Sequence, residues 1–158
     1  MTNKAKKVFF VSSSGGHLAQ LKHLSKFIMN KYTISWVIEK NLSTQDLENE
    51  ERVFFLKHQD RRMKGFLFVF IYNILKSLMI LIKVRPDIVI TTGAGAVIPI
   101  CYMAKLLGSK IVFIESYAKI NSPTLTGRFI YKIADEFYVQ WEELLHYYPE
   151  AKFRGSIY

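Results

Sequence analysis

The sequence is poor in cysteine, with Cys101 alone in the apolar run IPICYMAK. A single cysteine cannot form an intrachain disulfide or a cysteine-based metal cluster, which is consistent with a reducing compartment. The histidines, at positions 17, 23, 58 and 146, also lack the close spacing of zinc ligands. We therefore expect no metal ion, and the sequence indicates no cofactor.

Linkers, internal repeats and low-complexity tracts are also missing from the 158 residues. Because 50% of the residues are hydrophobic and 15% are aromatic, a disordered segment is excluded and one substantial core is expected. The length suits a single domain, residues 1–158. The start, MTNKAKKVFFVSSSGGH, has too short an apolar stretch for a secretion signal, so no export is indicated.

Acidic residues are scarce: 13 Asp and Glu stand against 22 Lys and Arg, for a formal net charge of +9. Residues 1–79 carry 13 basic and 6 acidic side chains, whereas residues 80–158 carry 9 and 7. The N-terminal half is therefore expected to face anions, such as nucleic acid, a membrane surface or a phosphorylated substrate. Nucleic acid is disfavoured, because the basic residues adjoin an apolar helix instead of alternating with aromatic residues on a sheet face.

Short apolar runs alternate with segments of helical periodicity along the chain. The pattern predicts strands at 7–12, 33–38, 53–56, 87–92, 110–115 and 136–140, and helices at 17–29, 66–82, 97–107, 126–134 and 141–147. The tail YPEAKFRGSIY is expected to add a short final strand. This alternation indicates a doubly wound, mainly parallel, Rossmann-like α/β sheet, whose ligands bind beyond the carboxyl ends of the strands.

The first strand-to-helix loop consists of small residues. Ser14, Gly15 and Gly16 can bring backbone amides close to an anion at the helix start, which suits a phosphate or diphosphate. The loop is neither a GxGxxG fingerprint nor a P-loop, so both nucleotide motifs are absent. His17 opens the helix and is a candidate general base. The alternative is a tight turn without a ligand, in which His17 is a simple helix-start residue.

Three further loops follow strands at the same edge. Gly93 and Gly95 repeat the small-residue arrangement, or serve only to pack the next helix closely on the sheet. Glu115 is a candidate base or sugar ligand or, alternatively, a cap for the next segment. Gln140 and Trp141 end the last clear strand, either as a contact surface or as core residues.

A basic segment precedes the most apolar part of the chain. Its candidate anion-binding residues are Arg61, Arg62 and Lys64. The segment 66–82 that follows has three polar residues on one helical stripe, an apolar arc wider than a core-facing side needs, and less than the length of a bilayer span. We expect this helix to pack partly on the sheet and partly in the membrane interface, with Phe68 and Tyr72 outward. A buried core helix, or one covered by a protein partner, is the alternative.

Four motifs occur in order along the chain: SSSGGHLAQL, TTGAGAVIPICYMAK, IESYAKINSPTLTGR and ADEFYVQWEEL. Together they resemble the bacterial capsular and exopolysaccharide glycosyltransferase subunits of the CpsF/PssD type. Those subunits are related to the membrane-recruiting subunit of the eukaryotic two-part UDP-N-acetylglucosamine transferase for lipid-linked oligosaccharides. The similarity covers nearly the whole chain.

The resemblance implies a split GT-B glycosyltransferase, in which this chain is similar to the N-terminal, acceptor-side half of MurG. A second polypeptide then holds the UDP-sugar, and the isolated chain is expected to be inactive. By the same resemblance, Gly15, Gly16 and His17 lie beside the acceptor diphosphate, and Gly93 to Gly95 form the second small-residue loop. The acceptor is expected to be a sugar linked to undecaprenyl diphosphate. The chain is expected to reach this acceptor by binding peripherally to the cytoplasmic face of the plasma membrane.

The C-terminal tail is expected to contact the donor-binding subunit. It leaves the predicted sheet near the edge that meets the other half, and it ends in the apolar residues Ile157 and Tyr158. A non-catalytic scaffold that only recruits and activates its partner is the rival interpretation of the whole chain.

Overall fold

The structure is a computed structural model that describes residues 5–47, 52–59, 64–93 and 97–157. The strands in these ranges are β1 (Lys7–Ser12), β2 (Thr33–Lys40), β3 (Val53–Lys57), β4 (Ile88–Thr91), β5 (Lys110–Ile114), β6 (Glu136–Val139) and β7 (Lys152–Phe153). The α-helices are α1 (Gly16–Ile28), α2 (Phe66–Val84), α3 (Val97–Leu106) and α4 (Leu125–Ile130). Two 3₁₀ helices, Leu42–Leu47 and Glu142–His146, complete the described elements.

The strands form one parallel sheet in the order β3-β2-β1-β4-β5-β6-β7. The chain runs from β1 outward to β3, returns to place β4 on the other side of β1, and then continues to β7. The winding direction therefore reverses between β1 and β4, and sheets of this kind bind ligands beyond the carboxyl ends of the strands at such a reversal. The predicted doubly wound, Rossmann-like sheet is confirmed.

Alternate residues of each strand serve opposite faces of the sheet. Phe9 and Val11 of β1 lie in the larger core, where α2, α3 and α4 also contribute side chains. Val8 and Phe10 lie in the smaller core, which α1 covers with Leu21. Both faces are buried, and this explains why the strands read as continuous apolar runs in the sequence.

Observed boundaries lie within two residues of the predicted ones for most elements. The helix predicted at 126–134 ends early, because the amides of Ile133 and Ala134 both bond to the Ile130 carbonyl and turn the chain. Residues 142–146 form a 3₁₀ helix instead of the predicted α-helix. The 3₁₀ helix Leu42–Leu47 is not predicted by the sequence pattern.

Candidate phosphate-binding and membrane-facing sites

Helix α1 begins without a capping side chain. Its N-cap is Gly15, whose φ of 74° lies in the region that favours glycine, and none of the described side chains caps the first turn. Gly15 and Gly16 are exposed, Ser14 is half-buried, and the first turn contains no acidic residue. The first amides of α1, at the positive end of the helix dipole, are therefore open to an anion.

His17 lies in this first turn, and its carbonyl accepts a 3.1 Å hydrogen bond from the Thr92 hydroxyl. Its ring atom Nδ1 is buried and has no hydrogen-bond partner in the described part of the chain. Burial lowers the pKa of His17 below its ordinary value of 6.5, against smaller opposing effects of the Thr92 bond and the Glu115 carboxylate. The ring is therefore mainly neutral at pH 7, the form that can accept a proton.

The bond from Thr92 to His17 joins the loops that follow β1 and β4. Gly93 is buried at a φ of 106°, and its amide donates a 3.0 Å hydrogen bond to Thr91 Oγ1. A Cβ at position 93 would lie 3.7 Å from the His17 ring. The fold thus brings the two small-residue loops into one place.

Glu115 is fully buried directly after β5. Its Oε1 accepts hydrogen bonds from the Ser116 amide and the Thr124 hydroxyl, both at 2.8 Å. Its Oε2 accepts from the Thr124 amide at 3.1 Å and from the Tyr148 hydroxyl at 2.9 Å. Burial, together with this carboxylate, raises the pKa of Tyr148 and keeps its hydroxyl a donor.

These four hydrogen bonds mean that Glu115 holds the segment 116–124 against the sheet edge. With both oxygens occupied and no exposed surface, the carboxylate has no free position for an acceptor hydroxyl. The geometry therefore favours the capping alternative for Glu115 and does not support the role of base. His17 is the candidate base that the structure leaves open to a ligand.

Gly127 completes the cluster around Glu115. Its amide donates a 2.8 Å hydrogen bond to the hydroxyl of Thr124, which caps α4. A Cβ at position 127 would overlap Glu115 Oε2 and would stand 2.6 Å from the Tyr148 hydroxyl. Neither Gly127 nor Tyr148 is among the site residues predicted from the sequence, because their shared partner Glu115 is distant along the chain.

Gln140 lies inside the structure and is only 3% exposed, so the prediction that it forms a partner-contact surface is wrong. Its side-chain nitrogen donates to the Glu115 carbonyl at 2.8 Å, and its side-chain oxygen accepts from the Ile157 amide at 2.9 Å. The Ile157 side chain packs on the smaller core. Trp141 is half-buried, and its Nε1 donates to the Tyr117 carbonyl at 2.8 Å.

Helix α2 buries two polar side chains and exposes a face of large apolar ones. Asn73 and Ser77 are buried against the sheet, together with Ile80 and Leu81. The outer face consists of large apolar side chains: Leu67, Phe68, Ile71, Tyr72, Leu75, Met79 and Ile82. Phe68 is 80% exposed, which excludes the buried-core alternative for this helix. A contiguous exposed apolar face marks a contact with a membrane or another protein.

Asn73 explains why the polar stripe of α2 faces inward. Its side-chain oxygen accepts from the Lys57 amide at 2.9 Å, and its side-chain nitrogen donates to the Lys57 carbonyl at 2.8 Å. Since β3 is an edge strand, the Asn73 amide takes the place of a neighbouring strand. The helix is thereby fixed along the sheet, although its length and apolarity are those of a membrane span.

Lys64 is exposed just before α2. The remaining residues of the predicted sites lie outside the described residues: Arg61, Arg62, Gly95 and Tyr158.

The sheet order, with a glycine-rich helix start at the reversal of winding, defines a Rossmann-like half of a GT-B glycosyltransferase fold. MurG from Acinetobacter baumannii superimposes with a TM-score of 0.73 at 16% identity, over 87% of this chain and 42% of MurG. A UDP-N-acetylglucosamine 2-epimerase from Rickettsia bellii superimposes with a TM-score of 0.75 at 18% identity, over 97% of this chain and 45% of the epimerase. The chain spans less than half of these structures, and their likeness concerns the fold alone.

The sequence places the chain within a family. Residues 8–157 match the family described as "Oligosaccharide biosynthesis protein Alg14 like", and the chain belongs to it. The "UDP-N-acetylglucosamine transferase subunit ALG14" of Candida albicans is 31% identical over 163 residues, which are 91% of this chain and 74% of the relative. The subunit of the same name from Rattus norvegicus is 25% identical over 177 residues, which are 95% and 82% of the two chains. The expected kinship with this eukaryotic subunit is confirmed.

Proposed function

We propose that this chain is the acceptor-side, membrane-recruiting subunit of a two-part UDP-sugar glycosyltransferase. The observation that carries the proposal is the carboxyl edge of the sheet, where the uncapped start of α1 and the neutral His17 adjoin Gly93. This edge belongs to a domain that corresponds to one half of a GT-B fold. Relatives are named as UDP-N-acetylglucosamine transferase subunits, so UDP-N-acetylglucosamine is the first donor to test.

The acceptor in this proposal is a sugar linked through a diphosphate to undecaprenol, and the product serves capsular or exopolysaccharide synthesis. The first amides of α1 bind the diphosphate, since Gly15 and Gly16 leave them open and the helix dipole favours negative charge. The acceptor hydroxyl attacks the anomeric carbon of the donor as the bond to UDP breaks. His17 takes the hydroxyl proton, because its neutral ring can accept one at pH 7.

A separate polypeptide supplies the half that grips the UDP-sugar. The described residues form a single sheet, and the relatives are named as transferase subunits, which supports a partner polypeptide for the other half. Trp141 and the tail that ends at Tyr158 are the proposed contacts with this partner. Trp141 is the better supported of these two contacts, because its side chain is half-exposed two residues beyond the carboxyl end of β6.

The outer face of α2 attaches the complex peripherally to the cytoplasmic face of the plasma membrane. An apolar face of this kind inserts into the boundary between headgroups and acyl chains, and adjacent lysines and arginines are drawn to anionic lipids. Lys64, Arg61 and Arg62 precede this face in the chain and supply that attraction. The lipid-linked acceptor then reaches the sheet edge without leaving the membrane.

The test is transfer by the purified two-chain complex from UDP-N-acetylglucosamine to a lipid-linked monosaccharide. A Cβ at position 16 meets nothing within 4 Å, so Gly16→Val should fold and bind its partner while the side chain blocks the anion's approach. We expect it to abolish transfer. Ala19→Val is the matched control, because it adds a valine at an exposed position of the same helix and should leave transfer unchanged.

The scaffold interpretation predicts a different pattern. If Gly16→Val and His17→Ala both keep near-normal kcat in an intact complex, the sheet edge has no part in the reaction. The chain would then serve only to recruit and activate its partner.

A further inference from the structure

A pocket of about 320 Å³ lies where β2 and β3 end against the first half of α2. Its lining is mainly basic and aromatic: Lys40, Phe55, Leu56, Lys57, His58, Tyr72 and Lys76. Neither the first helix start nor Gly93 contributes to it. It is therefore a feature separate from the candidate diphosphate site.

Two ammonium groups in this pocket are held on one aromatic ring. The Nζ of Lys57 lies 4.5 Å from the centroid of the Tyr72 ring, and the Nζ of Lys76 lies 5.7 Å from the same centroid. Both distances are within the range of a cation–π interaction. Among the described residues, neither ammonium group has a carboxylate at salt-bridge distance. Two like charges on one ring repel each other, and an anion between them relieves that repulsion.

The backbones that carry the two lysines are fixed relative to each other before any ligand arrives. Lys57 is the last residue of β3, and the paired hydrogen bonds between its backbone and the Asn73 side chain hold it to α2. Asn73 is buried one residue after Tyr72 and three before Lys76, so the strand and the helix start the two lysine side chains from constant positions. Preorganisation of this kind lowers the entropic cost of binding.

The carboxylate of Glu39 does not neutralise the two lysines. Its Oε2 lies 3.3 Å from His58 Nδ1, and the residue is buried at the end of β2. Burial raises the pKa of Glu39, although His58 opposes the shift. The described lining of the pocket therefore includes three lysines and no carboxylate.

We propose that this pocket binds the phosphate of an anionic phospholipid headgroup, with Lys57 and Lys76 as its ligands and Tyr72 as their support. The occupant is a membrane lipid because the pocket opens beside the outer face of α2, where Phe68 and Leu75 are exposed. The inference rests on the proposed membrane attachment and adds to its general attraction for anionic lipid a defined binding site for one headgroup. The outer face supplies apolar insertion, and the pocket selects the headgroup beside it.

The experiment measures binding of the full chain to phosphatidylcholine vesicles, with and without phosphatidylglycerol, at one salt concentration. Lys57→Gln with Lys76→Gln should weaken binding to the phosphatidylglycerol vesicles by about fivefold per lysine, since each lysine near an anionic surface contributes about that factor. Binding to pure phosphatidylcholine should be unchanged. Lys26→Gln with Lys31→Gln is the matched control, because both lysines are exposed at the end of α1 on the other face of the sheet.

Tyr72→Leu distinguishes a headgroup site that depends on the Tyr72 ring from general attraction between a basic surface and anionic lipid. The variant keeps the net charge and an apolar side chain, so simple attraction between a basic surface and an anionic membrane is unaffected. A site that depends on the ring loses at least half of the phosphatidylglycerol preference, and we expect this loss. A Tyr72→Leu protein with the full preference of the wild type would overturn the proposal.

Other outcomes show whether the headgroup site or the membrane attachment is wrong. Equal binding of the wild type to both kinds of vesicle refutes the headgroup site and the proposed attraction of Lys64, Arg61 and Arg62 to anionic lipid, and leaves only the apolar attachment through the outer face standing. Binding to neither kind refutes the membrane attachment and the headgroup site together. Saturable shifts of the Tyr72 ring signals with inorganic phosphate, without any lipid preference, would assign the pocket to a soluble phosphate and overturn the lipid assignment.

Discussion

Replacing Gly127 by alanine tests the buried cluster that holds the sheet edge. The new Cβ would overlap Glu115 Oε2 and would lie 2.6 Å from the Tyr148 hydroxyl and 2.9 Å from Thr124 Oγ1. At least one of these groups must move. Overpacking of a filled interior costs about 1–3 kcal/mol, and a lost hydrogen bond to a buried carboxylate costs about 1.5–3 kcal/mol. We therefore expect Gly127→Ala to lower the free energy of unfolding by about 3–5 kcal/mol.

The loss is measured by thermal unfolding of the purified chain in mild detergent, followed by circular dichroism. For a domain of this size, each kcal/mol lowers Tm by about 2–4 °C, so the expected decrease is on the order of 10 °C. Gly16→Ala is the matched control, because a Cβ there meets nothing within 4 Å and should change Tm by no more than a few degrees. If Gly127→Ala unfolds within 2 °C of the wild type, or no lower than Gly16→Ala, the cluster does not constrain position 127.

Three further variants address the site and the membrane face. Glu115→Gln replaces one accepting oxygen of the buried carboxylate by a donor, so it should lower the free energy of unfolding by about 2 kcal/mol. A fall of kcat by about 10²-fold or more at unchanged Tm would instead restore Glu115 as a base. Because burial lowers the pKa of His17, the ring of the free protein gains its proton only below pH 6.5. The acid limb of kcat/KM, which reports the free protein, should therefore lie below that pH and disappear in His17→Gln; a limb above pH 6.5 that survives the substitution would contradict the assignment. Phe68→Glu with Leu75→Glu should release the protein from vesicles without unfolding it. The control, Phe27→Glu with Met29→Glu, changes exposed residues at the end of α1 and should leave the protein bound. Equal retention of the two variants on vesicles would count against the membrane face.

The elements of the fold could be predicted because their signals are local. Each strand is a short apolar run that ends at small or polar residues, as in Lys7–Ser12 before the serine and glycine loop. The helices of the larger core show their periodicity within one segment, and Gly108 lies two residues beyond the end of α3. The alternation of the two kinds of element then predicts a doubly wound parallel sheet, although it leaves the order of the strands open.

The roles of Glu115 and Gln140 could not be predicted, because their partners are distant in sequence. Tyr148 lies 33 residues after Glu115, and Ile157 lies 17 residues after Gln140. A carboxylate or an amide at a strand end looks the same in the sequence whether it faces a ligand or a buried hydroxyl. Only the packed structure shows that donors from the chain itself already occupy both side chains.

Which face of α2 packs on the sheet also depends on a residue that is distant in the sequence. The three polar residues on one stripe predicted correctly that the helix has an apolar arc wider than its core contact needs. The reason for the inward orientation of Asn73 is Lys57, which lies 16 residues before it and outside the helix. A polar side chain on an apolar helix is therefore informative only when its partner is known.

The pair of hydrogen bonds between Asn73 and Lys57 has a consequence for how the protein leaves and rejoins a lipid surface. A helix free to turn over or cross the bilayer would have to abandon the backbone of β3, and both groups of Lys57 would lose their partners. Attachment through the outer face requires no such rearrangement. The soluble and lipid-bound forms can therefore share one conformation, and exchange between them is a matter of docking and release without any refolding step.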